Sequence, residues 1–287
     1  MRVLLYYKYV DIPDPAKETE QHRAFAQSLG LRGRIFISAE GLNGTCSGTE
    51  ESIEVYKKYL NEHPLFSAIA FKESECEDHV FEKLFVRRRD EVVTLRSDVS
   101  AQQAAPYITP AELHEALQRG EDLILLDMRN DYEAAIGRFR GAKTLTMENF
   151  RDLPKFLGEL EEFKHRAVIT YCTGGIRCER ASALLCKHGF TNVRQLEGGI
   201  VTYCDQYPNG FFEGSCFVFD ARMSTRPKGE LHPRYISSCS FCQKPCDRYI
   251  DCSEIHCHEL FICCEGCDRL RQGLCRAHHI EKMYQNC

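Results

Sequence analysis

Long hydrophobic runs are missing from this chain of 287 residues, and no window reaches the ~20 apolar residues that a membrane span needs. The apolar burst at the N-terminus, Val3 to Tyr7, is too short for the core of an export signal. Lys8 breaks it and acidic residues follow, so the protein reads as cytosolic. A positive balance is missing too. Against 42 Asp and Glu stand 37 Lys and Arg, and the net charge of −5 excludes wholesale electrostatic binding to nucleic acid or membrane, though not a local basic patch. No dinucleotide-type glycine fingerprint and no facial pair of histidines with a carboxylate are found, so the residues offer no flavin, nucleotide or oxygen-activating iron site. Tryptophan is absent as well, which excludes nothing.

What is present describes an ordinary globular chain, 43% apolar and 28% charged, long enough for two domains. Cysteine is the exception. Seventeen cysteines in a chain without an export signal imply thiols, metal ligands or catalysis rather than disulfides, and nine of them lie between Cys239 and Cys275.

The most informative stretch runs from Val168 to Ala181. A short β-branched run ends at Cys172, Thr173-Gly174-Gly175-Ile176-Arg177-Cys178 follows, and a helical segment from Glu179 to His188 closes at Gly189. Strand, tight loop and helix in that order let backbone N–H groups turn inward as an anion nest, with the positive end of the helix behind them. A sulfur at the mouth of such a nest is held as thiolate, the reactive form. Cysteine phosphatases place five residues between Cys and Arg; here four intervene, so the bowl suits a persulfide sulfur or a compact oxyanion. The loop from Cys172 to Arg177 resembles the active-site loop of the rhodanese family. Cys178 reads either as a resolving thiol or as a small residue packing inward. Arg177 steadies the loop or a substrate oxyanion, and Arg180 is expected on the surface.

Residues 1–96 read as a ferredoxin-like (acylphosphatase-like) α+β sandwich in the order βαββαβ. Strands are expected at Val3–Val10, Arg34–Ser38, Ile69–Lys72 and Lys83–Val93. Helices are expected at Glu18–Leu29 and Glu50–Leu60, and Asn43-Gly44 carries a turn signal. Arg87 and Arg89 share one face of the last strand, as protection of a solvated edge or as contacts to RNA phosphate.

Residues 97–106 read as a linker and 107–215 as a doubly wound parallel-sheet domain. Thr109 caps a helix with Pro110 at its first turn and Glu112 completing the capping box, and strands are expected at Asp122–Leu126, Thr144–Met147, Ala167–Tyr171 and Val193–Leu196. Ligands of such sheets bind beyond the carboxyl ends of the strands, where Cys172 falls. Asp127 to Glu133 resembles a further rhodanese signature, and Leu196 to Ile200 the closing one. Asp127, Arg129 and Glu133 are read as loop-fixing groups.

Residues 216–238 read as an extended basic linker, in which Arg222, Arg226 and Lys228 are candidates for phosphate contact, with Pro233 and Arg234 beyond them. The remainder, 239–287, reads as a Cys-rich zinc-binding-like tail. Two Cys-x2-Cys pairs, Cys239/Cys242 and Cys264/Cys267, have the spacing of a tetrahedral zinc site. Cys246, Cys252, Cys257 and Cys275 are candidates for a second site, with His256, His258 and His278 as substitutes. Metal would then supply folding energy that so small a core lacks.

Taken in order, Tyr7-Lys8-Tyr9, Glu40 to Gly44, Val86 to Arg89, the Cys172 loop, Phe217 to Met223 and the Cys239 knuckle resemble the rhodanese-domain tRNA uridine hydroxylases across nearly the whole chain. That resemblance implies oxygen-dependent 5-hydroxylation of the wobble uridine, molecular oxygen as co-substrate, tRNA as partner, and Cys172 as the essential thiol. The sulfur would be oxygenated and pass the oxygen on, or would add to C6 and enrich C5 in electrons. The loop alone also fits a sulfurtransferase carrying a persulfide on Cys172, and a non-catalytic RNA- or protein-binding scaffold is a third reading. No membrane or DNA partner is expected, and the residues do not fix an oligomeric state.

Overall fold

A computed structural model describes residues 1–229 and 234–285; Pro233 and the end of the tail lie outside the described residues. The N-terminal part opens with β1 (Arg2–Tyr9), α1 (Pro15–Ser28), β2 (Arg32–Ser38), β3 (Gly41–Gly48), α2 (Glu50–Glu62), β4 (Phe71–Glu75) and β5 (Leu84–Arg88). Its sheet order is β4-β1-β3-β2-β5, antiparallel except that β5 joins β2 in parallel. This is the expected ferredoxin-like arrangement with one strand added at the edge. Both helices cover one face. Ile53, Tyr56 and Leu60 of α2, spaced to share one helical face, are fully buried against Leu4, Tyr6, Ile35 and Ile37. The alternate residues Leu5, Tyr7, Arg34 and Phe36 therefore face the other way.

The Asn43-Gly44 pair does not make the turn expected of it. Both residues sit inside β3, and the hairpin closes at Ala39-Glu40. Gly44 answers to packing: a Cβ there would stand 2.3 Å from the Tyr6 ring.

The central part holds β6 (Tyr107–Ile108), α3 (Pro110–Gln118), β7 (Leu123–Asp127), α4 (Asp131–Ile136), β8 (Gly137–Phe139), a 3-10 stretch (Phe150–Phe163), β9 (Ala167–Tyr171), α5 (Ile176–Lys187), β10 (Val193–Leu196) and α6 (Gly199–Gln206). Strands β6-β10-β9-β7 are all parallel. One core packs α5 and the 3-10 stretch on one face, through Leu126, Val168 and Leu184. Another packs α3 and α6 on the opposite face, through Leu125, Ile169 and Tyr203. Thr109 and Glu112 form the capping box of α3.

One expectation fails here. Thr144–Met147 forms no strand: Lys143 makes a single bridge to Leu126, after which the chain turns inward and Met147 accepts the Asp131 N–H. Residues 97–106 connect the N-terminal and central parts. They lie against α5, with Arg180 donating to the Ser97 and Val99 carbonyls and the Ser182 hydroxyl accepting the Ala105 N–H.

Beyond α6, β11 (Phe212–Gly214) pairs with β8, and β12 (Cys216–Phe217) pairs with β13 (Ser224–Thr225). The tail contains the hairpin β14 (Tyr249–Asp251) and β15 (Leu260–Ile262), then α7 (Glu265–Arg271) and α8 (Arg276–Gln285). Among the described residues no helix is long and apolar enough to cross a membrane.

Candidate functional site

Cys172 is the first residue after β9, at the carboxyl end of the parallel sheet. Its sulfur accepts the Gly175 N–H at 3.2 Å. Gly175 caps α5 at φ +103°, a left-handed conformation that β-carbon-bearing residues rarely adopt, and its Cα lies so close to Tyr7 that a Cβ would meet the phenol oxygen at 2.8 Å. The loop is held from beneath by α6, whose Ile200 and Val201 N–H groups donate to the Cys172 and Thr173 carbonyls at 2.9 and 3.1 Å. Gly199 makes that approach possible, since a Cβ would stand 2.5 Å from the Cys172 carbonyl oxygen.

Burial by itself would raise the Cys172 thiol. The Cys178 S–H, the charge of Arg177 and the Arg177 and Gly175 N–H groups outweigh it, bringing the thiol from 9.0 down to about 6. Cys178 is fully buried within the α5 core, and burial and its neighbour Cys172 push its own thiol up. It therefore stays protonated as a donor to the Cys172 sulfur.

Arg177 does not point at open space. It donates twice to Glu133, at 2.5 and 2.8 Å, and Glu133 also accepts the Asn130 N–H at 3.0 Å. Arg129 donates to both Asp127 oxygens, at 2.9 and 2.6 Å, and to the Gly137 carbonyl. The Asp127–Arg129 pair thus fixes the turn after β7, where Arg129 also holds the Glu133 and Gly137 carbonyls, and the Arg177–Glu133 pair ties α4 to the loop. Arg180, expected on the surface, is only 3% exposed. It bonds Glu91 at 2.6 Å and reaches Glu40 at 3.4 Å, clamping α5 to the N-terminal domain. Its buried position follows from the close packing of the two domains, which the local helical pattern does not disclose.

A cavity of about 430 Å³ opens over the loop, lined by Cys172, Leu5, Tyr7, Phe36, Asn43 and Phe219 among others. Sequence reasoning missed these N-terminal residues. Their signal was the period-2 alternation in β1 and β2, which leaves one face of the sheet outside its own core. Glu179, one turn into α5, gathers the Tyr7 and Tyr107 hydroxyls and the Gln195 amide. Arg34 lines the same cavity, and Phe85 and Arg87, paired with Arg34 and Phe36, continue the sheet face beyond it. The guanidinium of Arg87 lies 5.0 Å from the Phe85 ring, and that of Arg89 lies 5.2 Å from the Phe36 ring.

The candidates in 216–238 are partly engaged. Arg222 binds Asp220 and Ser74, and Arg226 binds Asp247, so both brace the segment; Lys228 lines a neighbouring cavity of about 280 Å³. In the tail, the Cys239, Cys242, Cys264 and Cys267 sulfurs all lie within 4.8 Å of one another, an arrangement that could hold a metal. Cys252, Cys257 and Cys275 also come together, but Cys246 is not with them. Its backbone is taken up by Ser237 instead.

Comparison with known proteins matches three family models: a UPF0176 acylphosphatase like domain over residues 1–92, a rhodanese-like domain over 109–206 and a rhodanese C-terminal domain over 213–279. A tRNA uridine(34) hydroxylase of Cytophaga hutchinsonii is 42% identical over 276 residues, covering 96% of this chain and 88% of the relative. A Bacillus licheniformis protein of the same name is 42% identical over 287 residues, covering 96% of this chain and 88% of its own length.

Proposed function

The chain belongs to the tRNA uridine(34) hydroxylase family, and from that premise we propose that it places a 5-hydroxyl on the wobble uridine of tRNA, with molecular oxygen as co-substrate. One observation carries the reading: a thiol brought down to about 6 lines a cavity of about 430 Å³ between two domains. At neutral pH that sulfur is mostly thiolate, and it is the nucleophile of the site.

The thiolate adds to C6 of the uracil, and the electron pair of the C5–C6 bond moves to C5, which then forms a bond to oxygen. One oxygen atom stays on C5, and the other leaves as water with two electrons and two protons from a two-electron reductant. Loss of the C5 proton and departure of the sulfur from C6 restore the double bond. The lowered pKa of the Cys172 thiol supplies thiolate for the first step and makes the sulfur a better leaving group in the last.

A uridine in an anticodon loop is unpaired and can be splayed out, and single-stranded RNA is held by aromatic faces and guanidinium groups. Phe36 and Phe85 with Arg34, Arg87 and Arg89 supply both beside the cavity, and these are the RNA contacts proposed. A structural zinc at Cys239, Cys242, Cys264 and Cys267 fits the donor set, because four thiolates leave no open position for catalysis. A cytoplasmic location is proposed with it, because that is where tRNA would be met.

The test is nucleoside mass spectrometry of bulk tRNA from a strain deleted for its own hydroxylase and complemented with this chain. Restoration of 5-hydroxyuridine derivatives by the wild type but not by Cys172→Ala is expected. Restoration by Cys172→Ala would remove this thiol from the chemistry. Failure of the wild type, with thiosulfate:cyanide sulfurtransfer intact, would replace the reading with the sulfurtransferase one.

A further inference from the structure

Every cysteine-rich segment needs an account of where its sulfurs go, and the Cys239 group uses only four of those in the tail. Cys252, Cys257 and Cys275 converge with one more donor, His278, all four ligand atoms lying within 4.8 Å of one another. The His278 Nδ1 is 3.7 Å from the Cys252 sulfur and 3.1 Å from that of Cys275. A metal bonded to sulfur at ~2.3 Å and to nitrogen at ~2.0 Å in a tetrahedron holds its donors ~3.5–3.8 Å apart. The first group shows the same spacing, with Cys242 and Cys264 sulfurs 3.6 Å apart.

The two groups are also built alike. Cys264 caps α7 and Cys267 lies in its first turn; Cys275 immediately precedes α8 and His278 lies in its first turn. In each, the N–H of the helix-starting cysteine donates to a sulfur of the facing pair, from Cys264 to Cys239 at 3.5 Å and from Cys275 to Cys252 at 3.4 Å. Such N–H donation offsets the negative charge gathered on a thiolate cluster. We propose that Cys252, Cys257, Cys275 and His278 bind a second zinc ion, and that the tail is a cross-braced two-zinc module.

The bracing follows from chain order. The pairs 239/242, 252/257, 264/267 and 275/278 alternate between the two sites, so each metal closes a loop that contains ligands of the other. Between them runs the β14–β15 hairpin, with one site at its open end and the other at its tip. The hairpin faces the catalytic domain: the Tyr249 hydroxyl donates to the Tyr132 carbonyl at 2.9 Å, and Tyr249, Leu260 and Ile262 pack with Ile136 of α4. α4 carries Glu133, the partner of Arg177. The module core consists largely of its own cysteines with Phe261 and Leu274, too little apolar surface to fold without metal.

Metal analysis of the full-length protein tests the proposal without reference to activity. Two zinc ions per chain are expected, and the zinc absorption edge should report seven sulfurs and one nitrogen shared between them. His278→Ala should lower the content to one or below, and Cys246→Ser should leave it at two. A single zinc per chain, an all-sulfur environment, or full zinc retention in His278→Ala would overturn the assignment, and none of these outcomes depends on whether tRNA is the substrate.

Discussion

Breaking the Arg177–Glu133 pair separates what holds the active loop from what polarises it. Arg177→Met leaves the Glu133 carboxylate, 0% exposed, without its bidentate partner. Truncating one side of a buried, hydrogen-bonded pair costs about 3–5 kcal/mol. For a chain of this size that is a drop of about 6–20 °C in Tm. Glu133→Met should cost a similar amount, by burying the Arg177 charge alone and releasing the Asn130 N–H. The double variant removes both charges, so its loss should fall short of the sum of the single losses by about 1–3 kcal/mol. Scanning calorimetry at pH 7 provides the three differences. Hydroxylation should stay depressed in the double variant, because the Cys172 thiol loses the Arg177 charge whether or not the fold recovers. A double variant destabilised by the full sum would refute the coupling, and with it the view that Arg177 acts through Glu133 to fix the loop.

Three further outcomes follow from the same geometry. Gly199→Ala forces a Cβ against the Cys172 and Thr173 carbonyls at φ +68°, so tRNA hydroxylation should fall at least tenfold with the Tm lowered; unchanged activity would show that α6 does not set the loop. Arg180→Met should loosen the clamp to Glu40 and Glu91 and expose the 97–106 segment to limited proteolysis, and an unchanged digestion pattern would refute that role. The pH dependence of stability has a fixed sign. Cys172 is an acid held below its unfolded value of 9.0, so its stabilisation is complete above pH 9 and fades as pH falls to about 6. The Tm advantage of the wild type over Cys172→Ala should therefore shrink from pH 9 to pH 6, and a constant difference would contradict it.

The sequence disclosed what is local. Thr109, Pro110 and Glu112 announce the start of α3, Ile53, Tyr56 and Leu60 mark the buried face of α2, and the Cys172 loop states its own strand-loop-helix geometry. Long-range contacts were hidden. Nothing near Leu5 or Tyr7 says that their face of the sheet roofs a loop more than 160 residues away, and Arg180 gives no sign that Glu40 and Glu91 wait for it. Local signals also misled where packing overrode them. Asn43-Gly44 has turn chemistry, yet that glycine is required by the Tyr6 ring across the strand. In the tail, spacing picked out three cysteines that come together. The choice between Cys246 and a histidine depended on how α8 is placed, which only the fold decides.

The central claim is that Cys172 is a thiolate at neutral pH, and peptide-resolved alkylation measures this directly. Full-length protein is exposed briefly to iodoacetamide across pH 5–10, and the modified fraction of the Cys172 peptide is read by mass spectrometry. A midpoint near 6 is expected. A midpoint at the ordinary thiol value of about 9.0 would contradict the account, since neither the loop amides nor Arg177 and Cys178 would then be holding charge on that sulfur.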